Sequence, residues 1–219
     1  MRETLRTAAV VVLLLGWSAV APRIPDRWSL ARWNLAHWNP IPHAVFGVAV
    51  SALSGAPLGL RPPTLWAGLR WGAAAAAPVV VAVFASTGIP SVREGMAVRR
   101  LPVPTGRWLW LRIPLGTVWT EEAAYRAALG TVAGRAFGAS GGQLITAAAF
   151  GLSHVPDARA TRESVPGTVL VTGVAGWIFG WLYSKSGSLA APLLAHLAVN
   201  EAGALAALAV QHHRHSGRG

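Results

Sequence analysis

Seven apolar runs follow one another along this 219-residue chain, each close to the ~20 residues that a helix needs to cross ~30 Å of hydrocarbon. They cover roughly residues 8–21, 41–60, 68–89, 109–132, 141–156, 166–183 and 189–210. The pattern predicts an all-α, polytopic transmembrane helical bundle of about seven spans, with residues 1–219 forming a single integral membrane domain. Hydrophobic residues make up 53% of the chain and charged ones only 12%, whereas soluble domains run near a quarter charged. The +11 formal charge lies mainly between the apolar runs, as in cytoplasmic loops. A nucleic-acid binder would hold it on a folded polar face, so the expected partner is the lipid bilayer and not nucleic acid. There is no cysteine, which removes disulfides, thiolate metal sites and cysteine nucleophiles together. Many of the eleven tryptophans, including Trp17, Trp38, Trp66, Trp108, Trp110 and Trp181, stand near the ends of runs, as in an interfacial aromatic belt.

The first run resembles a signal peptide, with basic residues before Ala8 and small residues at Ala19 and Ala21. Pro22 fits poorly just after such a cut, so a retained first helix is expected. Residues 22–40, with Arg23, Arg27, Arg32 and three Trp, then read as an interfacial connection. Loops 22–40, 90–112 and 157–165 together with the C-terminal tail hold twelve Lys and Arg, against six for the N-terminus and the remaining loops. The positive-inside rule thus predicts a multi-pass protein of the cell membrane with its C-terminus in the cytoplasm.

Three of the eight acidic residues sit inside apolar runs: Glu121, Glu122 and Glu201. A carboxylate at such depth costs about 2.5–3.5 kcal/mol or more and marks a functional site or pathway, or else a structural ion pair. Glu122 and Arg126 are four residues apart and share a helix face, so they can pair; Glu121 points about 100° away and is left for chemistry or a second partner. Phe150 and His154 repeat this spacing in the next run, and His196 and Asn200 in the last. At ~1.5 Å per helical residue, Glu121 and His154 both lie roughly 21 Å from the 133–140 turn, and Asn200 roughly 18 Å from the same face. Glu121, His154, His196 and Asn200 are therefore expected to line one buried cavity, nearer the cytoplasmic face.

The order EExxxR (Glu121, Glu122, Arg126), FxxxH (Phe150, His154) and HxxxN (His196, Asn200), ending in SGSLAAPLLAHLAVN, resembles the CAAX-protease and bacteriocin-processing (CPBP) family of intramembrane peptidases. The motifs fall within a stretch, 105–205, that reads as the catalytic core helices. The resemblance implies an endopeptidase acting on a membrane-embedded or lipid-anchored peptide or protein. Glu121 would activate a water with His154, while His196 and Asn200 stabilise the oxyanion. Glu122, Arg126 and Phe150 would then be structural or orienting residues. Such a mechanism needs no cofactor. Glu121, His154 and His196 also make an alternative zinc-ligand set with an open position for water, although no HExxH is present. Glu201 is an acid that the family pattern does not ask for; Arg126, His154 or a lipid-facing Arg are its candidate partners.

Two other readings compete. Gly138–Gly141 reads GxSG, the nucleophile motif of rhomboid serine peptidases, with Ser140 and His196 as the dyad; it leaves Glu121, Glu122 and Arg126 unexplained. Buried Glu, His and Arg also suit a transporter or a non-catalytic membrane protein, but no inverted repeat is visible. The His-rich tail from Gln211 reads as a solvated basic segment touching anionic lipid.

Overall fold

Gly138 reverses the chain between two packed helical arms. The computed structural model describes residues 1–21 and 40–216, so the connection expected over 22–40 lies outside the described residues apart from its last position. Among the described residues the regular elements are all helical: α1 (Arg2–Val20), α2 (Ile41–Leu53), α3 (Thr64–Ser86), α4 (Pro90–Val98), a single turn α5 (Thr105–Arg107), two wide π-helical stretches π1 (Trp108–Trp119) and π2 (Glu122–Leu129), α6 (Gly130–Ser153), α7 (Val155–Thr161), α8 (Val165–Ser186) and α9 (Ala190–Ser216). The stretch α5–π1–π2 runs straight into α6, which is two arms around Gly138 (φ 72°, ψ 173°), a conformation open to glycine because it lacks Cβ. The arms then close tightly: a Cβ on Gly142 would lie 2.6 Å from the Gly134 nitrogen, so only small residues allow this hairpin.

Each of the seven apolar runs falls on a helix. Four helices are long and apolar enough to cross a membrane by length and composition: Arg2–Val20, Thr64–Ser86, Val165–Ser186 and Ala190–Arg214. The second run, expected over 41–60, is helical only over Ile41–Leu53, about 20 Å at ~1.5 Å per residue. Gly55 at φ 61° ends it, and 56–60 continue as an extended strap. The last helix is longer than expected and carries the start of the His-rich tail, so that segment is helical and not a loose extension.

Hydrogen bonds between connections show which ends of the helices lie together. Arg135 donates to the carbonyls of Ser54 (3.2 Å) and Gly55 (3.5 Å), the Leu189 N–H donates to Leu58 O (2.9 Å), and the Tyr183 hydroxyl donates to Pro57 O. These gather 54–60, the Gly138 turn and the α8–α9 connection at one end. At the other end, Gln211 on α9 donates to the carbonyls of Met96 (2.9 Å) and Arg99 (2.8 Å). The chain thus alternates ends at every long helix, and the C-terminal part of α1 returns beside the start of α2, where Trp17 stacks on Phe46 (4.2 Å) and meets His43 edge-on (5.4 Å).

Candidate active site

Arg126 and Glu122 are the most deeply buried charged residues among those described. Both side chains are fully buried, and Arg126 Nε lies 3.2 Å from Glu122 Oε2. The pairing expected from their four-residue spacing is therefore present, now on the wide turn π2. The rest of the guanidinium is housed by aromatic faces: its central carbon lies 4.0 Å from the Phe150 ring centre and 5.2 Å from that of Phe179. Such cation–π contacts contribute about 2 kcal/mol when desolvated, and here they take the place of hydrogen bonds to the outer nitrogens. Phe150 is pressed into place by α8, because a Cβ on Gly176 would stand 2.8 Å from its ring. The same ring meets His154 (4.7 Å), Tyr125 (5.1 Å) and His196 (6.2 Å) edge-on.

His196 joins this group from α9. Its Nδ1 lies 2.7 Å from Glu122 Oε1, its ring stacks on Phe179 at 4.8 Å, and its Nε2 is 3.8 Å from Glu121 Oε2. A carboxylate accepts, so the Nδ1–H donates and Nε2 is turned toward Glu121. The result is a buried chain of groups, Arg126–Glu122–His196, that ends against Glu121. His154 is oriented in the same manner by a different acceptor: its Nδ1–H donates to the Phe150 carbonyl at 2.8 Å, which leaves Nε2 to accept.

Glu121 and His154 line one cavity of about 290 Å³. The expectation that His196 and Asn200 also line it is corrected. Glu122 and Phe179 hold the His196 ring in the wall behind Glu121, and the Asn200 Nδ2 donates to the His196 carbonyl one turn back on its own helix (3.2 Å). Among the residues that do line it, His43, Arg112, Tyr125 and Asp157 were not singled out from the sequence. Arg112 and Asp157 lie close to the ends of apolar runs, where a charge carries no signal; only folding brings them to Glu121, and Arg112 feels both carboxylates.

Other expected groupings are not formed. Ser140 is exposed beside the Gly138 turn, while both ring nitrogens of the buried His196 face carboxylates, so no Ser140–His196 dyad exists. Glu201 keeps one buried carboxylate oxygen without a hydrogen-bond partner among the described residues. Among the described residues no three His, Asp or Glu side chains converge as a metal ion would need. His196 Nδ1 is held by Glu122 and His154 Nδ1 by a backbone carbonyl, contacts that leave the Nε2 of each ring available.

A family model described as "Type II CAAX prenyl endopeptidase Rce1-like" matches residues 103–202. This segment is similar to that family. It contains all three motifs and every member of the Arg126–Glu122–His196–Glu121 group, as well as Phe150, His154 and Asn200. No curated protein and no solved structure matches the chain. The matched segment thus carries all three motifs, while α1 and α2 add Trp17, His43 and Phe46 to the cavity wall; four helices are apolar and long enough to cross a membrane, as in an all-α membrane bundle.

Proposed function

We propose that the protein is a multi-pass endopeptidase of the cell membrane that cleaves a membrane-embedded or lipid-anchored peptide, prenylated in the manner the family name states, without a metal. The observation that carries this reading is that Glu121 and His154 face one cavity while an independently buried pair, Glu122 and Arg126, fixes the histidine beside Glu121. Glu121 takes a proton from a water held between it and His154 Nε2, and the hydroxide attacks the scissile carbonyl. The same proton then passes to the leaving amine. His196 serves the developing oxyanion only when Nε2 carries a proton, since the Nδ1–H is already given to Glu122. Asn200 has a second amide N–H free beside the one it gives to its own helix, and a turn of its side chain brings that donor toward the same oxygen.

The test is cleavage of a prenylated peptide by purified full-length protein in lipid nanodiscs, read by mass spectrometry. Glu121→Gln should lose at least about 100-fold in rate, the usual scale for a general base, with its melting temperature unchanged. Ser140→Ala should cleave like the parent. Full activity of Glu121→Gln would remove that residue from the mechanism.

A further inference from the structure

Arg112 stands in the same cavity with no role in the chemistry above. We propose that it anchors a carboxylate of the substrate, a reading that rests on the endopeptidase assignment and extends it to what the cavity recognises. Its side chain is half-buried, and neither Glu121 nor Asp157, the carboxylates that act on it, is in salt-bridge contact with it. The Glu121 oxygen nearest a base is instead turned to His196. A guanidinium has five N–H donors in a fork that matches a carboxylate, and among the described residues no hydrogen bond or ion pair of Arg112 uses them.

The position of the guanidinium is built into the backbone. A Cβ on Gly116 would lie 2.9 Å from both Cδ and Nη1 of Arg112, so the arginine lies along its own helix in a groove that only glycine leaves open. That fold-back carries its charge to the level of residue 116, five residues before Glu121, an axial distance of about 7 Å. Extended peptide covers ~3.3–3.6 Å per residue. A carboxylate on Arg112 therefore stands about two residues from a carbonyl at Glu121. Two carboxylates on the same cavity wall disfavour a phosphate with its higher charge, which leaves a singly charged carboxylate as the better fit. It comes either from the chain terminus of the peptide or from an acidic side chain near it.

The experiment measures binding, so that it does not depend on turnover. Full-length Glu121→Gln protein in phosphatidylcholine nanodiscs is titrated with a dansyl-labelled, prenylated peptide in three forms: free C-terminal acid, C-terminal amide, and an amide with Asp as its penultimate residue. The acid form, the Asp form or both should bind at least tenfold more tightly than the plain amide; which one does so identifies the source of the carboxylate. Arg112→Gln should abolish the preference, Arg112→Lys should keep part of it, and Gly116→Ala, which displaces the guanidinium without removing it, should weaken it. Equal binding of all three peptides, no binding of any, or a preference that survives Arg112→Gln overturns the assignment. Failure of the peptidase reading would show separately, as no cleavage by the parent protein while the Arg112-dependent preference persists.

Discussion

Glu122 and His196, 74 residues apart in the chain, meet at 2.7 Å inside the bundle and tie the π2 turn to the last long helix. Glu122 is shared: one oxygen faces His196 and the other Arg126. It is therefore a positioning residue for the histidine and the counter-charge of a fully buried guanidinium at once.

Removing either end of the buried pair should destabilise the protein, because the partner is left as an uncompensated charge. Glu122→Gln and Arg126→Ala are each expected to cost about 3–5 kcal/mol, read as a lowered unfolding midpoint of the detergent-solubilised protein. Both should also lose cleavage, since His196 is released from its orientation. Glu121→Gln, whose side chain is about a quarter exposed and outside that pair, should lose cleavage alone. Equal unfolding midpoints for all three variants and the parent would deny the pair its structural role.

The ends of the bundle make the topology testable. Gln211 bonds the carbonyls of Met96 and Arg99, so the loop after α4 and the end of α9 lie on one side of any membrane the bundle occupies. The twelve-to-six excess of Lys and Arg assigns that side to the cytoplasm. Reporter fusions after Arg100 and after Arg218 should both give cytoplasmic signals. Signals from opposite sides would contradict the hydrogen bonds, and two outside signals would invert the orientation.

Hydropathy and helical spacing were enough to read the seven helices, the Glu122–Arg126 pair and the approach of Glu121 to His154, because each depends on periodicity within one segment or on depth along it. The second helix was read too long, since the apolar residues after Leu53 belong to a strap broken by Gly55 and Gly59, and hydropathy does not register backbone reversal. Partners across helices were the part that spacing could not supply. His196 was matched with Asn200 on its own helix, whereas its ring turns to Glu122, and the rotation of α9 that decides this comes from packing on Phe179. The Phe150 ring likewise needed the structure to become the platform under Arg126, and Arg112 needed the bare Gly116 beside it.

Metal dependence separates two mechanisms that share the same three side chains. For zinc to be bound by Glu121, His154 and His196, each donor must approach one ion at ~2.0–2.2 Å. His196 Nε2 and Glu121 Oε2 are 3.8 Å apart, which two ligands of one ion tolerate, but no three donors converge among the described residues. Asn200, one turn from His196, is a hydrogen-bond donor and an uncommon zinc ligand. The purified protein, dialysed against chelator until metal analysis finds less than about a tenth of an equivalent, is therefore expected to keep its cleavage rate within about twofold, since a bound ion supplying the nucleophile would be worth far more. Stoichiometric zinc in the purified protein, with activity lost on stripping and regained when the ion is returned, would overturn this and make Glu121 either a ligand or the base for a metal-bound water.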